Sequence, residues 1–257
     1  MYNVNERAEL LRKIIAYISN NNAFEGLMQI GSCSVGFADI YSDIDLMAGC
    51  FNNMDIDKVN SELQIFFATL GASYIEKRAW TKTALGLSVY FENGLSVDIS
   101  FMPTKELPIR SPLYKIVLAK TEYFTNTVNE ASGKMHLNRY GVNDPIHYRF
   151  INELRYVEIA ILRDEFVFAD IALNNARQLL LSVQTIFEGK KLHQFKAFNT
   201  LNCNFLDKLN TTYPKNRNFK DIQTAKEAML SLYLEVVEKS DLLSFDNRLM
   251  TLLGCFE

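Results

Sequence analysis

The period of the apolar residues changes once along the chain, near Pro103, and that change limits the fold more than any other feature. Before it, short runs in which apolar and polar residues alternate are interleaved with helical stripes. Residues 5–19 place Leu10, Leu11, Ile14, Ile15 and Ile18 on one helical face, and residues 55–70 do the same with Val59, Leu63, Phe66, Phe67 and Leu70. Strand-like runs occupy 26–30, 42–48, 73–79, 85–91 and 95–101, and Asn93-Gly94 between the last two is a tight-hairpin signal. Beyond Pro103, Pro108 and Pro112 the strand pattern gives way to long amphipathic stretches. The spacing predicts helices over 112–121, 144–163, 166–188, 198–210, 218–239 and 241–253, with the polar, two-glycine segment 126–143 as an exposed loop. The expected class is therefore α+β. An α/β module with a mixed sheet should occupy residues 1–110 and a helical bundle residues 111–257, with the boundary between about 103 and 115.

Composition removes several classes of function. At 257 residues the chain can build a sizeable core, and no apolar run approaches the roughly 18 residues of a membrane span. The start, MYNVNERAELLRKII, carries acids early and has no apolar h-region, which points to the cytoplasm. Four cysteines (Cys33, Cys50, Cys203, Cys255) lie far apart without metal-ligand spacing, so free thiols are expected and zinc is not. Residues 1–110 hold 9 basic and 13 acidic side chains, and residues 111–257 hold 18 and 17. Neither part carries the basic excess of a phosphate-backbone binder, so no nucleic-acid partner is expected, and no membrane either. A small-molecule or protein substrate fits better.

The chemistry is concentrated in Gly31-Ser-Cys-Ser-Val-Gly-Phe-Ala-Asp-Ile-Tyr-Ser-Asp-Ile-Asp-Leu46. In a strand, Ile44 and Leu46 point one way and Asp43 and Asp45 the other, which leaves two carboxylates on one face about 6–7 Å apart. Carboxylate oxygens at that spacing suit a hard divalent cation, and Mg²⁺ takes one or two of them together with substrate phosphates. The run 95–101 repeats the pattern, with Leu95, Val97, Ile99 and Phe101 on the apolar face and Asp98 on the polar one. Should the two strands be neighbours, three carboxylates converge. Gly31-Ser32 falls where a strand turns into a following helix, a place where backbone N–H groups and a hydroxyl can hold phosphate oxygens. Each feature alone is an ordinary turn or surface pair. Their conjunction at this spacing reads as a site.

With these residues in view, GSCSVGFADIYSDIDL followed by LSVDIS resembles the nucleotidyltransferase superfamily that includes polymerase β. Within it the chain looks like the aminoglycoside and lincosamide nucleotidyltransferases of bacteria. The motifs span about residues 25–101, and ILRDEFVFADIALNNARQLLL is more loosely similar to an R-x-E-x3-A-x3-L pattern in the helical half of those enzymes. The resemblance implies that residues 1–110 form the catalytic domain and that residues 111–257 form the substrate-binding one. Gly31 and Ser32 would hold the triphosphate, with Ser42 adding a hydroxyl. Asp43 and Asp45 would bind Mg²⁺, and Asp98 would be a further ligand or the base. It implies transfer of a nucleoside monophosphate, AMP from ATP being the expected donor, to a hydroxyl of a small molecule such as one of those antibiotics. Pyrophosphate leaves, and with such an acceptor the resemblance implies antibiotic resistance.

In such enzymes the acceptor lies between the two domains. Glu153 and Glu158 flank the stripe of Phe150, Leu154, Val157 and Ile161 and are the substrate-facing candidates. Lys115 and Lys120 are the candidates for triphosphate cations, whereas His136, His147, His193 and Trp80 read as surface or packing residues. Two other functions remain compatible with the motif: an enzyme that AMPylates a protein, and a nucleotide-binding module without catalysis. The oligomeric state is not legible.

Overall fold

The computed structural model describes residues 2–31, 34, 42–109, 113–134, 145–190, 198–240 and 244–253. The chain divides into two compact units, residues 1–135 and 136–257. The class is α+β.

The first unit runs α1 (Val4–Asn20), β1 (Phe24–Ile30), β2 (Ile44–Cys50), α2 (Ile56–Thr69), β3 (Ala72–Ala79), β4 (Leu85–Phe91), β5 (Ser96–Pro103), β6 (Tyr114–Ala119) and α3 (Glu122–Gly133). The six strands form one mixed sheet in the order β3-β4-β5-β2-β1-β6. The central pair β2–β5 is parallel and the other neighbours are antiparallel. Alternation decides what each face carries. Ile44, Leu46 and Ala48 of β2 and Val97, Ile99 and Phe101 of β5 are buried against Leu10, Ile14 and Ile18 of α1 and Val59, Leu63 and Phe67 of α2. The opposite face packs α3 through Phe124 and Val128 onto Met28, Met102 and Leu107. Phe124 sits where Gly26 and Gly49 leave room; a side chain at either would collide with its ring.

Helix α1 starts with a reciprocal cap: Asn3 Oδ1 accepts from the N–H of Glu6 (3.0 Å), and Glu6 Oε2 accepts from the N–H of Asn3 (2.7 Å). The cap fixes the start of the helix that carries Arg7 to the site described below.

In the first unit two elements differ from the sequence expectation. Residues 112–121, expected as a helix, contain strand β6. Its short apolar run fits either period, and the edge of β1 decides the matter, since Met28, Gln29 and Ile30 pair with Ile116, Lys115 and Tyr114. Within 126–143, expected as a loop, residues up to Gly133 belong to α3, which Thr121 caps through the N–H of Phe124 (3.1 Å). Only Phe124, Val128 and Ala131 mark its apolar stripe. A stripe that narrow is held by packing on the sheet more than by propensity. Both elements lie in the first of the two compact units.

The second unit is helical: α4 (Ile146–Leu162), α5 (Phe166–Phe187), α6 (Cys203–Asn210) and α7 (Phe219–Glu238). Its core stacks Phe150 on Tyr233 (centroids 3.6 Å apart, 8° between planes) among Leu154, Val157, Leu173, Leu180 and Met229. Arg177, fully buried, donates to Thr212 Oγ1 (3.0 Å) and to the Thr212 carbonyl (2.6 Å), and its guanidinium lies 3.7 Å over the Tyr213 ring. The expected helix 198–210 is a 3-10 turn (Phe198–Thr200) followed by α6, which Asn202 caps. In place of a helix over 241–253, the described residues show a 3-10 turn at Asn247–Leu252. Among the described residues no helix is long and apolar enough to cross a membrane.

Candidate active site

Strands β2 and β5 run side by side in a register that puts Asp45 opposite Asp98. Both alternate with core residues, so both carboxylates stand on the face turned away from α1 and α2. Asp43 precedes the first residue of β2, and one ligand oxygen from each of Asp43, Asp45 and Asp98 lies within 4.8 Å of the other two. All three are half-buried.

The chain just before Asp43 is held from α1. The Ser42 carbonyl accepts from the Tyr2 hydroxyl (2.7 Å) and from Arg7 Nη1 (2.8 Å), and Arg7 is buried. The signal for Arg7 was a cation on the stripe that continues into Leu10, Ile14 and Ile18. The Ser42 carbonyl is thus tied to α1 and to the segment before it.

Gly31 ends β1 with φ +75°, in the left-handed region, and a Cβ there would stand 2.6 Å from Asp45 Oδ2. Its N–H donates to the Leu113 carbonyl (3.0 Å), while its own carbonyl accepts from the Ser34 hydroxyl (2.6 Å). Gly31 therefore brings bare backbone against a carboxylate, and its own N–H is already paired. Ser32, Cys33 and the helix expected after them lie outside the described residues, as do His136, His193 and Cys255.

Asp98 is anchored on its own face of the sheet, from the neighbouring strands β4 and β3. The buried hydroxyl of Ser88, its cross-strand partner on β4, donates to Oδ1. Arg78 Nη2, from β3, donates to the same oxygen at 2.9 Å and also reaches Ser88. Neither Ser88 nor Arg78 stood out in the sequence, because their relation to Asp98 exists only once the order β3-β4-β5 is known. Trp80, the single tryptophan, lies over Gly86 and remains 57% exposed. Gly86 is opposite Ser100 on β5, two residues along from Asp98.

The other candidates are distributed as follows. Lys115 alternates with Tyr114 and Ile116, which pack on the α3 side, so it projects from the face opposite the carboxylates. Lys120 donates to the Asn21 carbonyl (2.7 Å), and burial lowers its pKa. In the second unit, Glu158 pairs with Lys226 (2.7 Å), both side chains being largely buried. Glu153 accepts from Asn175 Nδ2 (3.2 Å). Cys50 is a buried free thiol whose pKa burial pushes up to about 12, an inert group.

His147 Nδ1 lies 2.8 Å from the Tyr233 hydroxyl, and burial lowers its pKa below the usual 6.5. The unfolded chain therefore takes up this proton at a higher pH than the folded one does. The associated stability is complete above about pH 6.5 and is lost as pH falls toward the depressed folded pKa. In urea unfolding at pH 7.5 and 5.5, His147→Gln should show a smaller loss between the two pH values than the wild type. An equal loss would assign the dependence elsewhere.

The sequence matches no protein-family model and no curated protein. Among solved structures, the chain is similar to an aminoglycoside 6-adenyltransferase from Bacillus subtilis, at 13% identity and a TM-score of 0.38 over 99% of this chain and 97% of that one. It is also similar to a nucleotidyltransferase-like protein from Exiguobacterium sibiricum (8% identity, TM-score 0.43, 92% and 77% covered). A third likeness is to the GLD-2/RNP-8 complex (15% identity, TM-score 0.31, 95% and 69% covered). Overlaps this loose decide nothing about the chemistry, which has to come from the carboxylates and the strand register.

Proposed function

We propose that the chain is a Mg²⁺-dependent nucleotidyltransferase that moves a nucleoside monophosphate, AMP from ATP, to a hydroxyl of a small molecule with release of pyrophosphate. The observation that carries this is the parallel β2–β5 register. It sets Asp45 beside Asp98, with Asp43 two residues upstream and the Gly31 backbone pressed against Asp45.

The donor set fits a hard cation. Three carboxylate oxygens lie within 4.8 Å of one another, and opposite ligands of a Mg²⁺ ion are about 4 Å apart at its usual bond lengths. Asp43, Asp45 and Asp98 would hold the ion. When bound, it would make the acceptor hydroxyl easier to deprotonate and offset charge on the α-phosphoryl oxygens. The chain's own residues do the positioning. Tyr2 and Arg7 fix the backbone entering Asp43, and Ser88 orients Asp98. Gly31, directly before the segment that begins with Ser32, brings backbone without a side chain against Asp45. We assign phosphate contacts to that segment and ligation, in preference to base catalysis, to Asp98. Acceptor contacts are assigned to the helical unit, with Glu153 ahead of Glu158, whose carboxylate already serves Lys226. The acceptor class, an aminoglycoside or lincosamide hydroxyl, follows from the motif resemblance.

The test is transfer of label from each α-³²P-labelled NTP, with Mg²⁺, to a panel of aminoglycosides and lincosamides. Acceptor-dependent transfer with stoichiometric pyrophosphate is expected. Label on the protein itself or on a co-purified protein would redirect the activity to protein modification. No transfer to anything would sink the catalytic reading.

A further inference from the structure

A second feature of the carboxylate face calls for its own account. Arg78 belongs to β3, two strands from Asp98, yet its guanidinium reaches across β4 to donate to Asp98 Oδ1 at 2.9 Å and to contact Ser88. It has two simple explanations. It could tie β3 to β5 as part of the fold, or it could answer the charge of the three clustered aspartates.

We propose that Arg78 is the resident counter-cation of the site. It holds Asp98 when no divalent ion is bound and yields that carboxylate when one binds. The proposal rests on the metal-site reading above.

Three observations favour it over a tie in the fold. The pair is exposed, with 47% of the Arg78 and 44% of the Asp98 side chain accessible, and exposed ion pairs contribute little net stability. As a staple it would be weak; as an exchangeable contact, weakness is what is required. The sheet does not need it either, because β3–β4 and β4–β5 are joined by continuous antiparallel pairing from Ala79–Leu85 through Ser96–Tyr90. Finally, the guanidinium engages Oδ1 of a residue whose ligand oxygen lies within 4.8 Å of those of Asp43 and Asp45. A cation there lowers the mutual repulsion of the group, and a divalent ion would do the same more strongly. Ser88 keeps its own bond to Asp98, so the carboxylate stays oriented while the cation changes.

A cation that shares a ligand with the ion opposes its binding, and this gives a sign that a merely structural role would not produce. Mn²⁺ binding to the full-length protein, followed by the loss of the free-ion EPR signal, should be roughly tenfold tighter in Arg78→Gln than in the wild type, from Coulomb's law at this range. Arg78→Lys, which keeps the charge, should stay within about twofold of the wild type. Unfolding by denaturant shows that each variant is folded when measured. Mn²⁺ affinity in Arg78→Gln that is unchanged or weaker than wild type would overturn the proposal, as would a lysine variant that behaves like the glutamine one. A wild-type protein that binds no Mn²⁺ would instead remove the metal-site reading itself, a result distinguishable from either.

Discussion

Asparagine at position 45 is expected to lower nucleotidyl transfer by about 10²- to 10⁴-fold while leaving the fold intact. The substitution keeps the size of the side chain and replaces one carboxylate oxygen by an N–H₂ donor, which cannot ligate a cation. Asp45 occupies the central pair of the sheet, in register with Asp98 and beside the backbone of Gly31, so it sits at the middle of the cluster. Divalent-ion stabilisation of the charge at phosphorus is worth several kcal/mol, and each 1.36 kcal/mol is a factor of ten in rate. Steady-state pyrophosphate release with wild type and Asp45→Asn, beside their denaturant unfolding curves, measures both quantities. Activity within about tenfold of wild type would mean that the ion, if any, is held elsewhere.

Alanine at position 31 is expected to cost both stability and activity, and a second glycine separates the two effects. Gly31 and Gly94 have similar left-handed φ angles, +75° and +87°. Placing an L side chain in that region costs roughly 1–2 kcal/mol at either position. A Cβ added at Gly94 would meet nothing within 4 Å, whereas at Gly31 the added atom would stand 2.6 Å from Asp45 Oδ2. Gly94→Ala should therefore lose only stability. Gly31→Ala must also push Asp45 aside, and a displacement on the order of 1 Å at a reacting centre costs about 10²-fold in rate. Urea midpoints and pyrophosphate release for the two variants decide it. Equal activity in both would show that the approach of Gly31 to Asp45 has no bearing on catalysis.

What was legible in the sequence followed from local periodicity. Alternation alone put Ile44 and Leu46, and likewise Val97 and Ile99, on the buried face, and it left Asp45 and Asp98 on the other. That the two strands are adjacent, parallel and in register was a condition the residues could pose but not satisfy, because β4 and β5 had to fold back beside β2 first. Residues whose role depends on that non-local order stayed hidden. Arg78 and Ser88 are polar residues of ordinary strands until β3 and β4 are laid beside β5. Lys115 looked available for phosphate until β6 formed and turned it to the opposite face. Strand β6 and helix α3 were misread for different local reasons: the apolar run of β6 fits either period, whereas α3 has only a sparse stripe of Phe124, Val128 and Ala131, and each is specified by the surface it covers. The long helices α4, α5 and α7 matched within a residue or two, since stripes of that length leave little choice.

The central claim, that Asp43, Asp45 and Asp98 together hold a divalent ion for nucleotidyl transfer, is tested most directly by anomalous diffraction. Crystals of the protein grown with Mn²⁺ and the non-hydrolysable α,β-methylene-ATP would be measured at the manganese edge. An anomalous peak about 2.1 Å from oxygens of at least two of the three aspartates and from a phosphate oxygen is the predicted result. Ordered nucleotide with the manganese peak away from all three carboxylates would contradict it.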